Sequence, residues 1–588
     1  MSTSVGSSHE MPGIPGAATV ALSPEHRFTR TLLEAFPHTE RYKNPRATKI
    51  KIFSVPAEMH RMGKKHLGDL HTTDYQHIAA KGTALWLEGL LQGSPLSERI
   101  NQEERIDAFA DVFPQTSRDE RKQRVGSSAF SAYVDKVDGK WQFMPDAGIA
   151  RGWSEVAQFA EHMQKEYGVE IWMDALVHTS YDSPVVKESP WMFVHRTKPP
   201  EAWQKHLFPE EPTTVVHGTP YWVAYGRWSN GAYGEQAESW RDLAPLNIAN
   251  EEARRLILDH AKKIGRFASG FRVDAAALWL SDVFRTNWGD YAEFSREELQ
   301  FLDEARRNPR KELLAQVMDA AQEAAGNRGV SFRAIGEIFG NYQLEGRQHN
   351  VDRVREILGR IYYVGRRYEF IDVVNAQRDD RIQWLAQSLQ DTMSDLQAHG
   401  VVYFGDQDND PTAGSRVVGD IVKARMLLLM STMLPGIGLI GPMEEEGYQG
   451  AKWDVQCKQF PTFPIDVQTV TAMRHAMTIA KSDLFQDPTS TTDILQAGWD
   501  GGWHGKILPL QVLSGDRKKG ATACINLEPY NRATANIPLP PGARNIEVFD
   551  IETGQVVADR ASLVDNHIFI DLNPTEGKHA QIIRYDLP

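Results

Sequence analysis

Strand-like and helix-like segments alternate about eight times between residues 46 and 500, and this alternation constrains the fold more than any other feature of the chain. A strand, a helix and a further strand in succession call for parallel pairing with the helix as crossover. Eight such units in this span fit a closed (β/α)8 barrel better than an open doubly wound sheet. The strands are read from TKIKIFSV, whose polar and apolar residues alternate and give a strand over residues 49–55, and from TALWLEG, VEIWMDAL, GFRVDAA, SFRAIGEI, YEFIDVV, VVYFGD and IGLIG. Helices are expected around 69–80, over Trp153–Tyr167 with Val156, Phe159, Ala160 and Met163 on one face, and over 251–264. A helical region at 295–325 is interrupted near Asn308 and Pro309, and Ser295 with Glu298 makes a capping box at its start. Further helices are expected at 379–398, 418–433 and 467–481. Residues 91–150 read as irregular, with one helix in the 100s.

Two segments depart from the alternation. Residues 181–250 form a long insertion after the third strand, rich in aromatics: Trp191, Trp203, Tyr221, Trp222, Tyr225, Trp228, Tyr233 and Trp240. From about 505 to 588 the pattern becomes short alternating strands joined by turns, with a hairpin at Thr553-Gly554, which predicts a separate antiparallel, sandwich-like β-domain. The expected organisation is therefore an N-terminal tail and lead-in (1–45, with a short helix near 28–36), a barrel (46–500) carrying the insertion, and the β-domain (505–588).

Charge narrows the partners. The 588 residues hold 65 basic and 78 acidic side chains, a net charge of −13, with no long basic run. Nucleic acid and anionic membranes are poor partners for such a surface, and a neutral polar substrate suits it. The uncharged stretch 426–443 just reaches the length of a membrane span, but Pro435, Gly436, Gly438, Gly441 and Pro442 divide it into a helix end and a short buried strand. The N-terminus has neither a basic region nor a continuous apolar core of the secretory kind, which fits a cytoplasmic protein. Two cysteines, Cys457 and Cys524, allow one disulfide but no framework, and no Cys/His cluster suggests zinc.

Barrel enzymes place their chemistry at the C-terminal ends of the strands. Four strand ends here carry acids: Asp174 with His178 after VEIWMDA, Asp274 with Arg272 in GFRVDAA, Glu337 in SFRAIGE, and Asp406, Asp408 and Asp410 after VVYFG. One such acid commonly caps the next helix. Four gathered at one mouth suit glycosidic bond cleavage. A retaining enzyme needs a carboxylate nucleophile and a second carboxyl about 5–5.5 Å away that serves first as acid and then as base. Arg272, two positions before Asp274, points to the same side of its strand and would hold that carboxylate ionised and oriented.

These segments resemble the signature regions of the α-amylase family. GFRVDAA is similar to the Gly-x-Arg-x-Asp region, GEIFG to the region of the acid/base glutamate, YFGDQDND to the region ending Asn-His-Asp, and WMDALVHTS to the region with an Asp and an Asn-His pair. HLGDLHTTDYQHIAAKGTALWLEG, LPGIGLIGPMEEEG and APLNIAN are similar to further family segments, all in the family's order. The resemblance covers residues 45–588. It implies Asp274 as nucleophile, Glu337 as general acid/base and Asp410 as third carboxylate, with Asp408 the alternative. It also implies Arg272 and His178 as contacts to the nucleophile and the sugar beside it, Asp174 as support for Arg272, and Asn409 as a sugar contact. The implied activity is that of a retaining α-glycosidase or 4-α-glucanotransferase working on α-glucans or α-linked oligosaccharides through a glycosyl-aspartate, without a cofactor. The competing class is an inactive barrel relative that binds carbohydrate or serves as a scaffold.

The departures from the family pattern are specific. Ala277 and Leu278 stand where the family often has Lys-His against the acceptor-side sugar. Asn409 replaces a histidine. Glu444–Glu446 reads as a solvated turn outside the site. Val177 replaces the asparagine that commonly binds a structural calcium, so no metal site is expected. Chelator is therefore expected to leave melting temperature and activity unchanged, and a large drop in melting temperature with EDTA would refute this.

Overall fold

The computed structural model describes residues 34–36, 47–227, 239–338, 347–359, 361–363, 389, 401–403, 420–448, 455–495, 506–559 and 563–588. Eight parallel strands form one sheet: β1 Ala47–Ser54, β2 Ala84–Glu88, β3 Glu170–Ala175, β4 Gly270–Val273, β5 Arg333–Ile338, β6 Ile361–Tyr363, β7 Val401–Tyr403 and β8 Gly436–Ile440. Their order in the sheet is β6-β5-β4-β3-β2-β1-β8-β7, the ring order of a (β/α)8 barrel. β6 and β7 lie beside each other, so the two edges of the curled sheet meet. Ile50, Ile52, Ala84, Trp86, Trp172, Ile335, Ile437 and Leu439 pack together from five of the strands and fill the interior.

The crossover helices include α1 Thr72–Ala79, α2 Trp153–Tyr167, α3 Glu251–Gly265, α4 Leu313–Gly326, α5 Arg347–Leu358, α6 Ile421–Met433 and α7 Val467–Ala480. Helix α2 buries Val156, Phe159, Ala160 and Met163, the expected face, and stops at Gly168 in the left-handed region. For α3, the Asn250 side chain accepts from the Glu252 and Ala253 amides, glutamates occupy the first turn and lysines the last. The Ser295–Glu298 capping box starts helix Arg296–Arg307, which ends at Asn308 and Pro309 as expected.

The apolar stretch 426–443 divides as its prolines and glycines require. Helix α6 ends at Met433 and β8 follows; α6 is buried between barrel and C-terminal domain, while β8 sends Ile437 and Leu439 into the barrel interior and Ile440 against α6 and α7. Among the described residues no helix is long and apolar enough to cross a membrane. The described sixth strand is Ile361–Tyr363, earlier than the expected YEFIDVV segment (368–374), which lies outside the described residues, as does the helix expected at 379–398 except for Leu389. Three apolar residues inside an arginine-rich stretch are too short a run to register as a strand.

The alternation of β1 serves two dry environments. Ile50 and Ile52 face the barrel interior, yet Lys49 and Lys51 on the other face are also fully buried. Lys49 Nζ donates to the Ser431 and Leu434 carbonyls at 3.0 and 2.5 Å, closing the C-terminus of α6. Lys51 Nζ donates to the Gly441 carbonyl at 2.6 Å and pairs with Glu445. Lys81 joins Glu58 (2.8 Å) to Glu445 (3.4 Å) and Glu446 (3.8 Å), and Arg61 reaches Glu446 at 2.6 Å. This corrects the solvated-turn reading of Glu444–Glu446. Glu445 and Glu446 are buried, and their partners come from β1, from the helical turn after it and from the turn before β2, which no local pattern around residue 445 announces.

The insertion leaves the barrel along His178–Ser180 and returns along Leu243–Pro245, which pairs antiparallel with that outgoing strand. Between them lie a hairpin of Thr214–Val216 and Thr219–Val223 and a second pairing of Gly226–Arg227 with Ser239–Trp240. The C-terminal domain has a six-stranded antiparallel sheet of β9 Thr491–Ile494, β10 Ile507–Leu513, β11 Lys519–Asn526, β13 Arg544–Asp550, β14 Val556–Asp559 and β16 Ala580–Asp586, in the order β9-β10-β11-β16-β13-β14. Strands β12 Ala533–Pro538 and β15 His567–Leu572 pair beside it and share a core with it. Its sheet thus takes in Thr491–Ile494, upstream of where the turn-and-strand pattern becomes visible. Ala35 and Phe36 of the lead-in pack into the core between this sheet and α6–α7, with Phe36 edge-on to Phe549. Cys457 and Cys524 are both buried, and they do not form a disulfide with each other.

Removing one partner of the Lys51–Glu445 pair strands a charge inside the protein. Lys51→Met is expected to lower stability by about 3 kcal/mol or more, and Lys51→Met with Glu445→Gln to recover most of that loss, as read by denaturant titration. Equal stability of the single variant and wild type would show that the pair is dispensable.

Candidate active site

Inward-facing positions on three adjacent strands supply the site. On β3 they are Trp172 and Asp174, on β4 Gly270, Arg272 and then Asp274 at the strand end, and on β5 Ile335 and Glu337. The register sets Arg272 directly between Asp174 and Ile335. Gly270 makes room below: a Cβ there would lie 2.7 Å from the Trp172 ring. A glycine is thus required for the wide indole to fill the barrel under Arg272.

Arg272 is wholly buried and meets three carboxylates. Its Nη1 pairs with Asp274 and stands 3.6 Å from Asp174, and its Nη2 stands 2.5 Å from Glu337. The guanidinium carbon lies 5.0 Å from the Trp86 ring centroid and 4.8 Å from that of Phe130, so two aromatic rings also bear on the cation. Trp86 Nε1 donates to Asp174 at 2.9 Å. Burial pushes the Asp174 carboxyl up to about 7, against the opposing pull of Arg272.

The chain turns sharply after Asp274. Ala275 has φ +44°, a left-handed conformation that non-glycine residues rarely adopt. That turn aims the Ala275 amide at Glu337, 3.2 Å away, while Trp279 Nε1 donates to the Asp274 carbonyl at 3.0 Å. His178 sits where the insertion begins, and its Nε2 lies 3.8 Å from Asp274. Burial holds His178 below its ordinary pKa against the raising influence of Asp274, and the ring also bonds to the Phe130 backbone.

Asp174, His178, Arg272, Asp274 and Glu337 therefore converge at the C-terminal ends of β3, β4 and β5. Asp406, Asp408, Asn409 and Asp410 lie outside the described residues, beyond β7. Trp86, Phe130 and the Ala275 amide belong to the site without having been singled out. Trp86 was visible only as one apolar residue in a strand, and Phe130 stood in a stretch read as irregular. Among the insertion's aromatics, Trp222 is buried and Trp203 is 49% exposed, and Trp228 and Tyr233 lie outside the described residues. Asn247, in the APLNIAN segment, donates to Glu298 at 2.8 Å, which makes it a brace between insertion exit and helix. No group of three or more metal-ligating side chains occurs among the described residues.

No family model and no curated protein matches this sequence. Solved structures do. The chain is similar in fold to an α-amylase from Lactobacillus plantarum (TM-score 0.55, 13% identity, 94% of this chain and 100% of that one). It is likewise similar to the acarbose-complexed α-amylase of Geobacillus thermoleovorans (0.54, 12%, 93% and 99%) and to the α-amylase of H. orenii (0.55, 13%, 93% and 100%). At these identities the likeness is one of fold, and it extends over barrel and C-terminal domain alike.

The raised pKa of Asp174 has a pH signature. Between its ordinary value near 4 and about 7, the folded protein keeps a proton at this site that the unfolded chain has lost, so this group's contribution to stability declines as pH rises through that window. Asp174→Asn, which still accepts from Trp86, is expected to remove this contribution, so that the melting temperature of the variant minus that of wild type becomes more positive from pH 4 to 7. Parallel curves would refute the assignment.

Proposed function

We propose that this chain is a retaining α-glycosidase or transglycosidase acting on α-glucans or α-linked oligosaccharides, with Asp274 as nucleophile and Glu337 as general acid/base. The observation that carries this reading is Arg272, a dry guanidinium that joins the Asp274 and Glu337 carboxylates at one barrel mouth. It keeps Asp274 oriented, and two donors, Arg272 and the Ala275 amide, hold Glu337 within reach of the same space. Asp410, or Asp408 in its place, is proposed as the third carboxylate, and Asn409 as a sugar contact.

In this reading the Asp274 carboxylate attacks the anomeric carbon as the bond to the leaving oxygen breaks, and Glu337 donates its proton to that oxygen. For that step Glu337 arrives protonated and turns from Arg272 toward the glycosidic oxygen. In the second half it takes a proton from water or from a sugar hydroxyl as the glycosyl ester opens. Hydrolysis and transfer share everything up to that choice.

Asp274→Asn is expected to abolish turnover of maltoheptaose while leaving oligosaccharide binding in place, because an amide cannot form the glycosyl ester. Glu337→Gln is expected to stop turnover of glucans yet partly spare a glycosyl fluoride, whose departure needs no proton. Mass spectrometry of products reads both. Substantial activity in Asp274→Asn would overturn the assignment, and a wild type inactive on every α-glucoside offered would favour a binding or scaffold role.

A further inference from the structure

Beside Asp274 the insertion and the barrel enclose a cavity of about 30 Å³, lined by His178, Arg227, Trp240, Leu278 and Asn287 among others. Its walls come from two sources. Gly226–Arg227 and Ser239–Trp240 are the paired strands of the insertion, whereas Leu278 and Asn287 follow β4. The wall made by these paired strands is closely fitted: a Cβ on Gly226 would stand 2.9 Å from the Leu243 Cβ and 3.3 Å from the Trp240 Cβ.

Two polar atoms on residues of this cavity are buried without a hydrogen-bond partner, His178 Nε2 and Arg227 Nε. His178 is 7% exposed and its Nε2 is the atom 3.8 Å from Asp274. Arg227 has no carboxylate partner among the described residues. It is held instead by its Nη1, which donates to the Asn287 carbonyl at 3.4 Å, and by the Tyr291 ring, 4.6 Å from its guanidinium carbon. A buried donor left unpaired costs free energy that a ligand hydroxyl or a water would recover. The cavity has room for one such group, not for a sugar ring.

We propose that Arg227 is the acceptor-reading residue of this site, its guanidinium donating to one hydroxyl of a sugar bound on the Leu278 side of Asp274. The proposal rests on the glycosidase reading above. Ala277 and Leu278 have no polar side chains to offer that sugar, so the polar contact comes from the insertion, across the cleft, while Leu278 and Trp240 supply apolar surface. In the transfer step the acceptor hydroxyl oxygen attacks the anomeric carbon, the bond from that carbon to the Asp274 oxygen breaks, and the hydroxyl proton passes to Glu337. Arg227 takes part in no bond change. It fixes which hydroxyl-bearing molecule occupies the place from which attack occurs, and so sets the partition between sugar and water.

Maltosyl fluoride as donor with glucose or maltose as acceptor tests this, with transfer and hydrolysis products separated by chromatography. Arg227→Ala is expected to lower the transfer-to-hydrolysis ratio about tenfold or more and to raise the acceptor concentration for half-maximal transfer, with Arg227→Lys intermediate because it keeps charge but not the planar fork. Arg227→Gln keeps more of the packing on Tyr291 and serves if the alanine variant does not fold. A ratio within about twofold of wild type in folded Arg227→Ala or Arg227→Gln overturns the proposal. If wild type turns over no donor, the glycosidase reading fails, and the Arg227 site is then judged by maltose binding in NMR titration. Weakening of about tenfold in the variants supports it, and unchanged affinity overturns it.

Discussion

A single cation organises the mouth of this barrel. Arg272 is inaccessible to water, and charge placed there is tolerated only with partners at hydrogen-bond range. Asp174, Asp274 and Glu337 provide them from the same strand and its two neighbours, and the register of β3, β4 and β5 is what brings them together. Three carboxylates around one guanidinium would leave an excess of negative charge. The high pKa of Asp174 relieves part of it near neutrality, so that Asp174 supports the arginine without competing fully for it. The aromatic faces of Trp86 and Phe130 complete the enclosure and keep water away from the pairs.

The parts of the site that were legible in the sequence share one property: they are set by strand periodicity. Arg272 and Asp274 lie two apart, as do Trp172 and Asp174, and Ile335 and Glu337, so alternation alone aims each pair inward. Signature-like segments then marked which strands to compare. What stayed hidden depends on contacts distant in sequence or on backbone geometry. Phe130 reaches Arg272 from a stretch without periodicity. Ala275 acts through its amide, and an alanine carries no sign of a left-handed backbone. Glu445 and Glu446 look like any acidic turn until Lys51, Lys81 and Arg61 are brought to them.

The barrel as a class was readable because eight strand-and-helix units leave few alternatives, and its weakest point was the strand with the least apolar length. Ile361–Tyr363 pairs with β5 through Gly336–Ile338, so its position is fixed by a neighbour more than by its own composition. The same is true of Thr491–Ile494, a polar strand that pairs along Leu510–Leu513.

Lys49 carries a consequence for the order of assembly. Its ammonium is satisfied by carbonyls 382 and 385 positions later in the chain, and that of Lys51 by one 390 positions later. The α6–β8 segment thus supplies both the cover and the acceptors of these two amines, so neither lysine takes its dry native place before that segment has been made. The first strand reaches its final surroundings only when the beginning and the end of the barrel dock together.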